Sequence, residues 1–182
     1  FEQALVRLAA SPDEHVAAAA VRALGACPSK EARQALEASL HHADARVRAN
    51  ALESLAGRKN VEDAERFAAM TGDAAGRPRA NAIAALLDLR TQDAIAALRR
   101  MLADPRPAHR VSALWLVQAA GVMDTARAVA ELAVADPDRE VQRRARQAVR
   151  HLIHLMNPAL PAPAGDTAPP ADALPRVHEL AA

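Results

Sequence analysis

His151 and His154 stand three residues apart in a helical stretch, a spacing that lets two imidazoles turn toward one metal ion. No third ligand accompanies the pair, so it reads as histidine facing solvent at a helix end. His41 and His42 are adjacent in a turn and point apart. The single cysteine, Cys27, lies in the loop Gly25-Ala26-Cys27-Pro28 and has no partner for an internal disulfide. As a nucleophile it would need a base beside it. A Gly-rich phosphate loop and a nucleophile elbow are both missing. The expectation is therefore no catalytic residues, no metal site, no cofactor and no enzymatic activity.

Arginine is the other group with chemistry in it. Of the 23 basic residues all but Lys30 and Lys59 are Arg, and 22 acidic residues balance them to a net charge of +1. Arg holds carboxylates and phosphates through two parallel bonds where Lys offers a point charge, although codon composition alone explains such a bias. A nucleic-acid domain would be clearly basic, so that class is disfavoured. Arg48, Arg79 and Arg110 fall 31 residues apart and form one column. Asp44 precedes Arg48 by four residues, within reach of it. The column reads as a structural ladder between neighbouring units.

That column belongs to a repeat. Residues 47–57 read VRANALESLAG and residues 78–88 read PRANAIAALLD. Anchors spaced by 31 or 32 residues fall at Val16, Val47, Pro78, His109 and Val141. Four residues beyond each anchor lies an Ala: Ala20, Ala51, Ala82, Ala113 and Ala145. Eight beyond lie Leu24, Leu55, Leu86, Val117 and Val149. Steps of four and eight mark one face of a helix, and an unbroken Ala column marks close helix crossings. A turn rich in Asp and Pro precedes each helix (SPDEH, HADAR, DAAGR, DPRPA, DPDRE), supplying N-caps and first-turn prolines. A further helical stretch precedes each turn. The composition agrees: Ala supplies 49 residues and aromatics only 2%, which suits closely packed helices and not sheets.

The unit is helix, turn, helix, loop, five times over residues 1–157. HADARVRANALESL and DPDREVQRRARQAV resemble HEAT repeats, in particular the short bacterial kind related to those of phycobilin lyases. The resemblance implies an all-α fold, an α-solenoid or superhelix of five stacked helix pairs. It also implies a scaffold whose second helices line a concave, partner-binding surface. Pro78 and His109 replace the Val anchor, and Arg146 stands where other copies have Val21, Leu52, Ile83 and Leu114. Another family with such repeats, deoxyhypusine hydroxylase, binds iron through His-Glu dyads. Here the only such dyad is His178-Glu179, in the C-terminal segment.

A helical wheel turns the sixth position after each anchor furthest from the core: Arg22, Glu53, Ala84, Trp115 and Gln147. Val111 lies one turn before Trp115, and Ala80 and Ala84 are expected to flank the pair as an apolar floor. Trp is the residue most enriched at binding hot spots. The candidate binding residues are thus Trp115 and Val111, with Arg22, Glu53 and Gln147 setting polarity. Arg139, Arg143, Arg146 and Arg150 make a basic stripe on the last helix. That stripe reads as a solubilising cap, or as a docking site for an acidic partner or phosphates.

The function expected is binding of a protein or peptide, without catalysis, as part of a larger protein or complex. The alternatives are a nucleic-acid-binding solenoid and an accessory or spacer arm for an enzyme domain upstream of Phe1. No apolar run reaches transmembrane length, so membrane insertion is not expected. The chain opens on Phe1 and not Met, which reads as a fragment or processed form. A cytoplasmic location is favoured, with a periplasmic one open. Residues 158–182 are rich in Pro and Ala and read as a flexible tail or linker.

Overall fold

The computed structural model describes residues 1–159; the expected tail lies almost entirely outside them. The described residues form ten α-helices and no strand. They fall in two compact units, Phe1–Arg90 and the described part of Thr91–Ala182. The first unit holds three helix pairs: α1 (Glu2–Ala9) with α2 (Glu14–Leu24), α3 (Lys30–Ser39) with α4 (Ala45–Ala56), and α5 (Ala64–Met70) with α6 (Gly76–Leu87). The second holds two: α7 (Thr91–Leu102) with α8 (Pro107–Ala120), and α9 (Ala126–Ala135) with α10 (Arg139–Met156). A turn of 3-10 helix leads into α5 (Val61–Asp63) and another into α9 (Met123–Thr125). Within the first unit α2, α4 and α6 lie side by side in order, the stacking of a solenoid.

The turns start the helices as the sequence suggests. Asp13, Asp44 and Asp138 each accept two backbone N–H groups of the following first turn. α6 and α8 begin on Ala75 and Arg106, which give no such cap. There the work passes to Asp73 and Asp104, whose Oδ1 atoms accept from the N–H of Ala75 and Arg106 at 2.8 and 2.9 Å. Asp136 does the same for Asp138 at 2.8 Å. Gly121 closes α8 with φ 62°, a left-handed conformation that Gly adopts without strain.

The core follows the columns. Ala20 is 4% exposed and Ala51, Ala82, Ala113 and Ala145 are 0% exposed. Leu24, Leu55, Leu86 and Val117 are buried with them, and each such side chain contributes about 1.5–3 kcal/mol. Pro78 and His109 bury in the anchor column after all. Pro78 is tolerated because it lies in the first turn of α6, where its missing N–H has no intrahelical acceptor. His109 sets Nδ1 3.5 Å from Asp104 Oδ2. The columns loosen at both ends. Val16 is 37% exposed, Val149 is half-buried and Arg146 is exposed. Each belongs to a first or last pair of the described residues, with no further pair there to cover it.

Candidate functional site

The repeated Arg-Ala-Asn-Ala core is structural. Arg48 donates from Nε and Nη2 to both oxygens of Asp73, at 2.8 and 2.9 Å. Its Nη1 reaches the carbonyls of His42 and Ala43, each at 2.8 Å. One guanidinium thus ties its own turn to the next. Arg48 makes no hydrogen bond to Asp44, the partner that the four-residue spacing suggested; its donors go to Asp73 and to the carbonyls of its own turn. Asn50 Nδ2 donates to the Ala18 carbonyl at 3.0 Å, and Asn81 Nδ2 to that of Ala49 at 3.1 Å. α4 is thereby pinned to α2, and α6 to α4.

The outward positions divide between the two units. In the first, Arg22 is exposed on α2 and Glu53 is half-buried on α4. Burial pushes the Glu53 carboxyl above its ordinary value, against the pull of the Arg77 and Arg22 charges. In the second, Val111, Trp115 and Gln147 are all half-buried. Of the expected apolar floor, Ala80 is 0% exposed and offers no surface. Ala84 is half-buried.

Trp115 does not stand bare. The Arg144 guanidinium lies over its ring, 4.4 Å from the centroid, a cation–π stack. Arg144 Nε donates to Glu140 Oε1 at 2.8 Å. Arg143 grips the same carboxylate with Nε and Nη2, at 2.8 and 2.7 Å. Those two guanidinia, Arg143 foremost, pull Glu140 down to about 2. The sequence reading missed Arg144 and Glu140. The spacing of Glu140 to Arg143 and Arg144, three and four residues along a helix, was the available signal.

The basic stripe is partly engaged. Arg143 belongs to the Glu140 cluster. Arg146 donates from Nε to the Ala133 carbonyl at 3.0 Å and from Nη2 to Gln142 Oε1 at 3.1 Å. Arg139 and Arg150 are exposed, and no hydrogen bond or ion pair engages either among the described residues.

Among the described residues no group of three or more His, Cys, Asp or Glu is placed to hold a metal ion. His151 and His154 are both half-buried on α10. Cys27 lines an open cleft of about 630 Å³ with Gly25, Pro28, Arg33, Arg58 and Asn60. Arg58 closes its wall by donating to the carbonyls of Leu24 and Cys27, at 3.2 and 2.5 Å. No base stands against the thiol there; Sγ faces the Ala23 carbonyl at 3.9 Å. No described helix is long and apolar enough to cross a membrane.

Residues 2–86 match the family model of HEAT repeats. The HEAT match covers the first three helix pairs, and α7 to α10 repeat the same hairpin beyond it. Among solved structures the chain is similar to one from the complex of CpcE and CpcF of phycocyanin lyase from Nostoc sp. PCC7120. That similarity has a TM-score of 0.61 at 18% identity, over 81% of this chain and 96% of the other. It is also similar to YibA of E. coli, with a TM-score of 0.55 at 21% identity, over 85% of this chain and 63% of that one. These likenesses show the HEAT-type fold expected from the residues. No curated protein matches significantly.

Proposed function

We propose that this chain is a non-catalytic module that binds a protein or peptide on the outward faces of its second helices. The observation that carries this reading is the setting of the only Trp. Trp115 is half-buried on α8, roofed by Arg144 where a core Trp would be enclosed by apolar groups. Trp and Arg are the two residue types most enriched at hot spots, and Val111 offers an aliphatic neighbour one turn away on α8. Gln147 adds a polar group on α10. In the first unit, Arg22 and Glu53 give the equivalent face a mixed polarity. The HEAT-repeat match is consistent with a scaffold role.

The test compares the intact chain with Trp115→Ala as bait in quantitative affinity enrichment from the source cells. A small set of proteins retained by the parent and lost from the variant, with the variant still folded at the temperature of the assay, supports the proposal. Identical sets from both baits refute Trp115 as the anchor.

A further inference from the structure

α10 differs from every other second helix in what it turns outward. Arg139, Arg143, Arg146 and Arg150 are exposed and lead to Ile153, which is 47% exposed. Steps of four, three, four and three residues keep the five on one side of the helix. At 1.5 Å rise per residue they span about 21 Å. Arg146 is held in place by the Ala133 carbonyl at 3.0 Å. The next residue along α9, Val134, is 79% exposed. The surface is therefore four guanidinia, two of them already engaged within the chain, ending at the partly exposed Ile153, with the exposed Val134 on the neighbouring α9. The carboxylate on α10 itself, Glu140, is already gripped by Arg143 and Arg144.

Two classes of polyanion suit guanidinia. A phosphate backbone would use the charge alone and gain nothing from Ile153 and Val134. A protein segment with carboxylates along one side and aliphatic groups beside them uses both. The helix already displays the carboxylate mode in Glu140, bound by paired N–H donors and held at about 2.

We propose that the outward face of α10 is a docking surface for an acidic amphipathic protein segment. Its carboxylates pair first with Arg139 and Arg150, within the positive field that Arg143 and Arg146 add between them, and its aliphatic side chains cover Ile153. The surface contains neither Trp115 nor Val111, so this inference goes beyond the reading above and fails or stands separately from it.

The probe is a fluorescent helical peptide with Glu at positions i, i+4, i+7 and i+11 and Leu at i+14, titrated with the full chain and followed by anisotropy. Its Gln counterpart and a single-stranded DNA of equal charge serve as comparisons. The Glu peptide is expected to bind more tightly than either. Arg139→Glu/Arg150→Glu should weaken it roughly tenfold or more, and Ile153→Asp should weaken it too. Arg139 and Arg150 have no partners among the described residues, so the double variant should melt with the parent. Equal binding of the Gln peptide, tighter binding of the DNA, or indifference to the arginine reversals overturns the proposal. Peptide binding that appears only after Asp166→Asn/Asp172→Asn/Glu179→Gln assigns the face to the chain's own C-terminal segment and also overturns it. So does concentration-dependent self-association that Arg139→Glu abolishes.

Discussion

Arg110 and Asp136 face each other through two parallel hydrogen bonds, Nε to Oδ2 at 2.7 Å and Nη2 to Oδ1 at 2.8 Å. Their side chains are only 8% and 2% exposed. Arg110 Nη1 also reaches the carbonyls of Asp104 and Pro105, at 2.7 and 3.1 Å. Arg48 and Asp73 repeat the arrangement in the first unit. In both, an arginine just after the anchor clasps its own turn and the aspartate of the next.

Removing one member of such a buried pair strands the other charge, at a cost of about 3–5 kcal/mol. Arg110→Met is therefore expected to lose that much in urea unfolding. Arg110→Lys should recover little of it, because an ammonium cannot present the forked donors. Arg127 pairs with Glu131 on the surface and is 94% exposed, so Arg127→Met should cost less than about 1 kcal/mol. Similar losses for Arg110→Met and Arg127→Met would show that the ladder does not hold the turns.

The Ala column makes a second prediction. Ala51 and Ala82 are 0% exposed at helix crossings, so Ala51→Leu and Ala82→Leu should each cost roughly 1–3 kcal/mol by overpacking. Ala18, two residues after the anchor Val16, is half-buried and its carbonyl accepts from Asn50. Ala19 is exposed, and Ala19→Leu should be nearly neutral. Three equal melting temperatures would contradict the crossing geometry.

These columns explain what the sequence made legible. Burial follows the helical period, and a repeat states that period five times, so the Ala and Leu columns could be read directly. The Arg48 partner could not. Asp44 and Asp73 are both turn aspartates, and choosing between them required knowing which turn the α4 guanidinium faces once the helix pairs are stacked. The same limit hid the roof over Trp115. Arg144 lies 29 positions along the chain, and only the packing of α8 against α10 brings it there. The Ala80 floor failed for a related reason: a wheel drawn for one helix ignores the neighbours that seal its flanks.

Two glutamates should shift stability with pH in opposite senses. Glu140 is lowered from 4.5 to about 2. Its contribution is present in full above the unfolded value and is lost as pH falls toward about 2. The group is 46% exposed, so solvent screens the effect and it stays small. Glu53 is raised by burial. The folded state then binds its proton more tightly than the unfolded chain, and its contribution falls as pH rises past the unfolded value. Glu53→Gln should match or exceed the parent in stability at about pH 7, while the advantage vanishes near pH 3. A variant that is less stable at neutral pH would show that Arg22 and Arg77 outweigh the burial.

The Arg144–Trp115 stack gives the last prediction, readable on the indole's own fluorescence because the chain has one Trp. With a guanidinium 4.4 Å above one ring face, acrylamide should quench the parent only moderately. Arg144→Ala uncovers that face, so quenching should rise and the emission should move to longer wavelength. The stability cost should be that of one cation–π contact, about 0.5–2 kcal/mol. Trp115→Ala should cost less than the ~3–5 kcal/mol of a core Trp, since the ring is only half-buried and one of its faces is covered by a charged group. If Trp115 anchors a partner, the same change should weaken that binding by roughly 2–4 kcal/mol, and Arg144→Ala should alter it as well. A parent whose emission is blue-shifted and unquenchable, and unchanged by Arg144→Ala, would place the indole in the core and remove it from the binding surface.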